Sequence, residues 1–376
     1  MKRNSVSLPL SASPGASQPL TSGQGHKTTT YRPAKSIMND ITRIPYPLLC
    51  QKVAATLMAA GVSGDIAALE AQIMAEADLL GVPSHGVRML PGLLAALKDG
   101  RVMARPNIHF KREFGATSLM DGDNGPGRST SCRAMDDAVA RARISGIGAC
   151  LALRTTHWGR AHAYAYRAAR QGMVGICCTN AMPTMAGWGA TQRILGNNPL
   201  AIAIPRADLD APLVLDMAMS QAAVGKVGTC LREGQEIPAG WGLDANGQPS
   251  TDGQAILKGA VLPFGGHKVA GLALMLELLT AALSGGAFGN EIQAGDRSGI
   301  DPDACKLFIA LNPEAFGGLD VLTQRVTDYL GYLGQVAAPF TWPGERGWAA
   351  RDGNLMQGVP LHSEIVAQLA AIGIEL

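Results

Sequence analysis

The run Pro83-Ser84-His85-Gly86-Val87-Arg88 sets a hydroxyl, an imidazole and a guanidinium side by side in a polar break between apolar segments. Upstream, Ile66, Leu69, Ile73, Ala77 and Leu80 recur at helical spacing, and Gly81 with Pro83 supplies a stop signal. A further helical pattern runs to about residue 97, so Ser84 is expected to cap it. The free N–H groups of that first turn, Ser84 and Arg88 would then grip a carboxylate at the positive end of the helix. His85 beside them would move a proton near neutral pH. The plainer alternative is a capping serine, a solvated histidine and an arginine paired with a nearby acid.

A second histidine, His157, falls in a loop, 154–157, leaving an apolar strand at 149–153, and such loops carry the chemistry of many α/β proteins. A helix over 160–170 and a strand over 173–179 follow, and His162 inside the helix pattern reads as structural. Asp216 ends a strand at 213–216, where it could bind ribose hydroxyls, orient a histidine or cap the next turn. Gly265-Gly266-His267-Lys268 leads into a helical pattern over 272–283. Paired glycines permit close backbone approach, and a lysine beside a helix start suits a phosphate or pyrophosphate. A hydrogen-bonded loop histidine and a tight turn with a solvated lysine are the alternatives at these two places.

The elements that must position these groups are those of a mixed α/β protein. Two helical patterns between 45 and 80, split by Gly61-Val62-Ser63-Gly64, and the one after the Ser-His-Gly break suggest a helical layer. Residues 119–127 form a turn-rich loop before a helix over 134–143; their glycines do not fit G-x-G-x-x-G, so no phosphate role is given to them. After a Gly/Pro/Asn-rich run come strands at 200–204 and 213–216, then turns from 231 to 253 with Asn246-Gly247 as a hairpin signal. Pro343-Gly344-Glu345-Arg346 is a polar turn ahead of a last helix at 363–371. The expected organisation is a disordered tail over 1–40, a helical substrate-side domain over 41–118 completed by 312–376, and a cofactor-binding domain over 119–311.

Composition narrows the partners. The 376 residues are 47% hydrophobic and 16% charged with net charge +2, which leaves no electrostatic footprint for nucleic acid or an anionic membrane surface. A small molecule or another copy of the chain is the expected partner. The seven cysteines lack C-x-x-C spacing and read as buried thiols of a reducing compartment, hence a cytoplasmic protein without a structural metal. No apolar run approaches the ~20 residues of a membrane helix. Ser, Pro, Gly and Thr dominate the first forty residues without an h-region, and Met38 stands as an alternative start.

Taken together, Ala77-Asp78-Leu79-Leu80-Gly81-Val82-Pro83-Ser84-His85-Gly86, Asp121-Gly122-Asp123-Asn124-Gly125, Thr156-His157-Trp158-Gly159, Gly196-Asn197-Asn198-Pro199, Leu215-Asp216-Met217-Ala218, Gly265-Gly266-His267-Lys268 and Pro343-Gly344-Glu345-Arg346 resemble the type 2 malate/L-lactate dehydrogenase family. The motifs stand in the family's order from about residue 44 to the C-terminus. The resemblance implies an α/β, non-Rossmann dehydrogenase fold of the sulfolactate dehydrogenase-like type, with a helical layer and a sheet-based cofactor domain. It implies NAD or NADP as cofactor, a homodimer, and hydride transfer to or from a small 2-oxo/2-hydroxy acid such as malate, lactate or diketogulonate. Reduction of a cyclic imino acid such as Δ1-pyrroline-2-carboxylate is the alternative. Carried over by motif, His85 and His157 are the catalytic candidates, unranked, with Ser84 and Arg88 on the substrate. Val214, Leu215, Asp216, Met217, Ala218, Met219, Ser220, His267, Lys268, Gly344, Glu345 and Arg346 correspond to the dinucleotide contacts. Departures are Val269 after the lysine and Ala181 where many members carry serine; Val269 puts cofactor affinity in question if that position needs glycine dihedrals.

Overall fold

The computed structural model describes residues 41–292, 300 and 302–376, and the tail expected to be disordered lies outside the described residues. Strand β1 (Ile41–Ile44) leads into α1 (Tyr46–Ala59) and α2 (Gly64–Leu79), which pack on each other. Leu49, Val53 and Leu57 of α1 meet Ile66, Ala67 and Met74 of α2 in a fully apolar seam. Each large side chain buried there contributes roughly 1.5–3 kcal/mol. After two short 3₁₀ turns comes α3 (Leu90–Lys98), then β2 (His109–Phe114), β3 (Thr117–Asp121), α4 (Gly127–Ser145) and β4 (Ile147–Thr155).

The chain continues through α5 (His162–Ala169), β5 (Val174–Thr179), β6 (Met185–Ala186), β7 (Arg193–Leu195), β8 (Leu200–Ile204) and β9 (Leu213–Met217). Then come α6 (Val224–Arg232), β10 (Gly242–Leu243), β11 (Pro249–Ser250), α7 (Gly253–Lys258), β12 (Ala260–Val261) and α8 (His267–Glu277). The last part is β13 (Ala304–Leu311), α9 (Leu319–Val336), α10 (Glu345–Gln357), β14 (Val359–His362) and α11 (Ser363–Ala371).

Among the described residues the main sheet has seven strands in the order β2-β3-β4-β13-β5-β8-β9. Its pairs are antiparallel except β3 with β4. Helices α4 and α5 lie against it and bury Met135, Ala138, Tyr164 and Ala168 on Cys150, Cys177, Phe308 and Ala310. A separate core joins the first three helices to β14 and α11 through Val359, Leu361 and Leu369. A small sheet ordered β11-β10-β12-β6-β7 encloses a third core with Met185, Val227 and Ile256. No described helix is long and apolar enough to cross a membrane.

Several boundaries differ from the sequence reading for local reasons. Helix α4 begins at Gly127 rather than 134, because Ser129, Thr130 and Ser131 turn their hydroxyls onto the carbonyls of Pro126 and Gly127 and so join the helix while lacking apolar spacing. Helix α8 begins at His267, directly after Gly266 at φ 64°. Val269 is therefore an ordinary helical residue packed on the third core, and the concern over glycine dihedrals falls away. The turn 343–346 opens α10, and α9 before it is an amphipathic helix without a buried residue. Asn246-Gly247 does sit in the turn joining the antiparallel β10 and β11, with Gly247 at φ 76°.

Candidate active site

His157 follows the end of β4 on a stretch pinned from three sides. Thr155 donates its hydroxyl to Ala304 O (2.7 Å), Thr156 donates to Gly125 O (2.9 Å), and the His157 N–H donates to Ile300 O (2.6 Å). The Asp-Gly-Asp-Asn-Gly loop is thus a buttress: Gly122 and Asn124 also donate their N–H groups to Leu153 O and Arg154 O. The Gly159 N–H donates to His157 Nδ1 at 3.1 Å. Since that nitrogen accepts, a neutral His157 carries its proton on Nε2 and presents a donor there.

The stretch around His85 is built differently from expectation. Pro83–His85 and Val87–Met89 are separate 3₁₀ turns, and α3 starts only at Leu90, with no side-chain cap. Ser84 therefore does not cap a helix, and the carboxylate site at a helix N-terminus is not formed there. Instead the Ser84 hydroxyl shares a 2.9 Å hydrogen bond with His85 Nδ1. Asp78, at the end of α2, accepts the Val87 N–H at 2.7 Å and so fixes the turn. Burial pushes the Asp78 carboxyl up to about 7, against the Val87 N–H and Arg88, which favour its charge. Its Oδ1 is buried without a partner. A Cβ on Gly86 would lie 2.1 Å from that carboxylate, so the position admits only glycine. Arg88 is exposed and is not among the residues lining the cavity described next, though its charge acts on His85.

The two imidazoles meet as a stacked pair, centroids 6.0 Å apart, and both line a cavity of about 290 Å³. Burial drives the His85 pKa down to about 4, helped by Arg160, Arg128 and Arg88. It drives His157 well below its ordinary value, with Arg128, His85 and Lys306 adding repulsion. Both rings are neutral at pH 7. Asn180 forms another wall, its amide donating to Glu277 Oε1 (3.2 Å) and Ala287 O (2.9 Å) and accepting from the Cys305 N–H (2.7 Å).

Lys306 also lines the cavity and was not singled out from the sequence, although a lone cation inside the eight-residue apolar strand β13 was a visible signal. It is 1% exposed, donates to Thr155 Oγ1 and to Thr156 O (2.9 Å), and lies 5.8 Å from the Trp158 ring centroid.

Where the loop runs on from Gly159 to Arg160 it leaves this cavity and borders a groove of about 850 Å³, lined by Val214, Leu215, Asp216, Gly344 and Arg346 as well. The Val214 N–H donates to Pro343 O (2.9 Å), which joins β9 to the turn before α10. Gly344 holds φ 100°, and a Cβ there would stand 3.2 Å from Val214 N. It is the N-cap of the 13-residue α10, whose first N–H groups carry no side-chain cap. The Glu345 and Gly347 N–H groups donate to Trp342 O (3.2 Å) and Gly344 O (2.9 Å), so what this helix start offers an anion in the groove is chiefly the positive end of its dipole. Asp216 pairs with Arg160 at 3.3 Å, so it does not orient a histidine; burial raises its pKa and Arg160 opposes that.

The remaining expected cofactor residues are spread around this region. Glu345 begins α10, Met217 and Ala218 are half-buried, and Met219 and Ser220 are buried. Ser220 bridges Pro263, and Phe264 donates its N–H to Met219 O (3.1 Å), which ties the lysine turn to the end of β9. His267 and Lys268 are exposed at the start of α8 and line neither the cavity nor the groove. Among the described residues no cluster of His, Cys, Asp or Glu gathers as a metal site would.

Comparison with known proteins places this architecture. A family model described as malate/L-lactate dehydrogenase matches residues 44–370, and the chain belongs to that family of oxidoreductases. A malate dehydrogenase of Pyrococcus horikoshii is 32% identical over 346 residues, covering 88% of this chain and 94% of that protein. A (2R)-3-sulfolactate dehydrogenase (NADP(+)) of Chromohalobacter salexigens is 36% identical over 263 residues, 70% of this chain and 78% of the relative. The solved Δ1-piperideine-2-carboxylate reductase of Pseudomonas syringae superposes with a TM-score of 0.82 at 30% identity, covering 88% of this chain and all (100%) of that one.

Proposed function

We propose that this chain is an NAD(P)-dependent oxidoreductase interconverting a small 2-oxo acid and its 2-hydroxy acid. One observation carries the reading: two imidazoles face one cavity, and the loop bearing His157 runs directly into a groove with an uncapped helix start. Val214 to Asp216, Gly344, Glu345 and Arg346 would hold the dinucleotide, with Met217 to Ser220, His267 and Lys268 at the margins. Bound there, the cofactor supplies or takes up a hydride.

The protein's own part is charge and proton handling. His157, with its proton fixed on Nε2, orients the substrate oxygen as a donor. His85 is the proton carrier: Ser84 holds its Nδ1, and the neutral ring takes the hydroxyl proton during oxidation. During reduction the substrate's C2=O π bond opens, C2 gains the hydride, and the oxygen takes the proton back from His85. A bound carboxylate offsets the arginines that depress His85 and so raises its pKa toward working pH.

The non-Rossmann reading is supported by a largely antiparallel sheet. The split into 41–118 with 312–376, against 119–311, belongs to the same reading; the core shared by the first three helices, β14 and α11 supports it, while Ile73, Leu80 and Trp348 pack into the core of 119–311. A homodimer belongs to the same reading. It would cover Leu274, Met275, Leu278, Leu279 and Leu283, all exposed along α8 and its continuation. The second reading, reduction of a cyclic imino acid, is favoured by the likeness to the piperideine-carboxylate reductase and needs the same cavity. Nicotinamide absorbance with pyruvate, oxaloacetate, 2,3-diketogulonate and Δ1-pyrroline-2-carboxylate, each with NADH and NADPH, tests both. Turnover of none of them would end the proposal.

A further inference from the structure

A cleft of about 720 Å³ opens between α2, α4, α5 and α10, and none of its lining residues lines the cavity or the groove. Glu76 of α2 forms part of its wall with Arg167, Arg170 and Arg351. Each of the three guanidiniums already has an acid. Arg167 holds Asp136 through Nε and Nη2 (2.6 and 2.7 Å), Arg170 pairs with Asp210 (2.9 Å) and Arg351 with Asp352 (3.0 Å). Glu76 is the exception: its carboxylate accepts no hydrogen bond and forms no ion pair among the described residues. Burial pushes this carboxyl up to about 7, against the pull of Arg160, Arg170, Arg351 and Arg167, so it is largely ionised at pH 8. Arg160 itself is taken by Asp216 (3.3 Å).

We propose that this cleft is a second small-molecule site and takes a zwitterionic α-amino acid with an apolar side chain, its ammonium on Glu76 and its carboxylate on Arg167 and Arg170. The site is independent of the chemistry proposed for the cavity. Spare hydrogen-bonding capacity decides the ligand. Arg167 Nη1 and both Nη groups of Arg170 donate no hydrogen bond among the described residues, so two guanidinium edges are open to a carboxylate. Arg170 is held for that task over the Tyr166 ring at 5.7 Å, and the Tyr166 hydroxyl donates to Asp210 O at 3.2 Å. With the arginines balanced by aspartates, the charge left over is that of Glu76, which selects a cationic donor. A bare anion would meet Glu76 as a like charge and leave it unpaired. A bare amine would leave the guanidinium N–H groups unused, whereas a ligand carrying both groups satisfies both walls. Ile73, Leu79 and Ala163 supply an apolar stretch for the side chain, and the volume is within the roughly 300–1,000 Å³ of small-molecule pockets.

Calorimetry at pH 8 tests this on the full chain with L-leucine and L-phenylalanine, excess oxamate being present to fill the cavity of His85 and His157. Each amino acid is compared with its deaminated and decarboxylated counterparts: isocaproate and isoamylamine for leucine, hydrocinnamate and phenethylamine for phenylalanine. At least one amino acid should bind with a Kd of about 1 mM or tighter, and at least about tenfold more tightly than either counterpart. Glu76→Gln should weaken it at least about tenfold and bring it level with its deaminated acid, a change of selectivity that a purely structural Glu76 would not produce. Arg170→Gln should weaken it as well and bring it closer to the amine. Arg170 is exposed, so that variant carries the comparison if Glu76→Gln fails to fold. Failure of both amino acids to bind, equal binding of a deaminated acid by the wild type, or affinity unchanged in the variants would overturn the proposal. None of these results bears on hydride transfer in the cavity.

Discussion

His85 and His157 stack with their planes 16° from parallel and their centroids 6.0 Å apart, which makes simultaneous protonation of the two rings costly. They differ in what fixes each ring: Gly159 N–H occupies Nδ1 of His157, while His85 shares its Nδ1 bond with a rotatable serine hydroxyl. That difference is what the proposed mechanism uses in making His85 the proton carrier and His157 the orienting donor.

The first prediction follows from this division. His85→Gln should lower kcat by about 10²–10⁴, the usual worth of positioned proton transfer. His157→Gln should mainly raise KM, because a glutamine amide still offers a donor but loses the ring held by Gly159. Steady-state kinetics in both directions checks this, and the reverse ranking would transfer the proton to His157.

The second concerns pH. Burial and neighbouring arginines hold the free-enzyme His85 pKa at about 4, so its neutral form dominates above that. For oxidation, which needs the neutral ring, log kcat/KM should rise with pH to about 4 and then be flat through pH 8. For reduction, which needs the protonated ring, it should fall by one unit per pH unit above about 4. An inflection near 6.5 in either profile would show that His85 is not buried and repelled as described.

Much of this arrangement was legible in the chain. His157 could be placed because strand, loop, helix and strand follow one another at the spacing of β4, α5 and β5, whose periods of 2 and 3.6 are unambiguous. The turn at 81–88 was recognisable as a break, but not its shape. A serine before an apolar helix is the commonest cap signal, and only the fold reveals that Asp78 has already taken the backbone donor. Lys306 was marked locally as the one cation of an apolar strand, but what it faces was not legible, because its partners Thr155 and Thr156 lie about 150 residues away in sequence. Asp216 was found, but its partner Arg160 lies 56 residues away and decides among roles that spacing alone left open.

The third prediction tests Asp78 and Gly86. The folded Asp78 pKa of about 7 exceeds the unfolded value near 3.9, so the folded state prefers the protonated acid. Stability should be highest below about pH 4, fall as pH rises to about 7, and level off beyond. Glu76, also raised to about 7 by burial, adds to the same slope. Asp78→Asn keeps an acceptor for Val87 and removes the charge, so it should flatten part of the slope and gain up to about 4 kcal/mol at pH 8. Urea unfolding at pH 5 and 8 measures it; a variant with an undiminished slope would place the titration elsewhere.

Gly86→Ala supplies the fourth. Its Cβ would overlap all three carboxylate atoms of Asp78, at 2.1–2.2 Å, so the turn must move and carry His85 with it. A loss of about 1–3 kcal/mol in stability is expected, the usual cost of overpacking, with at least about tenfold in kcat. Asp78→Ala in the same chain removes the obstacle, so the double variant should be more stable than the sum of the single changes by at least about 1 kcal/mol. Strict additivity would mean that the two residues do not meet.

The last prediction concerns the groove. Gly344 combines a left-handed φ of 100° with close packing on Val214 N, and it delivers the uncapped start of α10 to the groove. Gly344→Val pays both for the φ, strained for a β-branched residue, and for the contact, and would push the helix start away from Val214. NADH or NADPH, followed by fluorescence titration, should bind at least about tenfold more weakly to this variant. Oxamate binding in the His85 and His157 cavity should change by less than about threefold, because Gly344 does not line it. Arg160→Gln should weaken the dinucleotide as well, since it frees Asp216 to repel the phosphates of a ligand in the same groove. If both variants kept wild-type dinucleotide affinity, the groove between β9 and α10 would not be the cofactor site, and the carried-over residues around Lys268 would have to hold the cofactor alone.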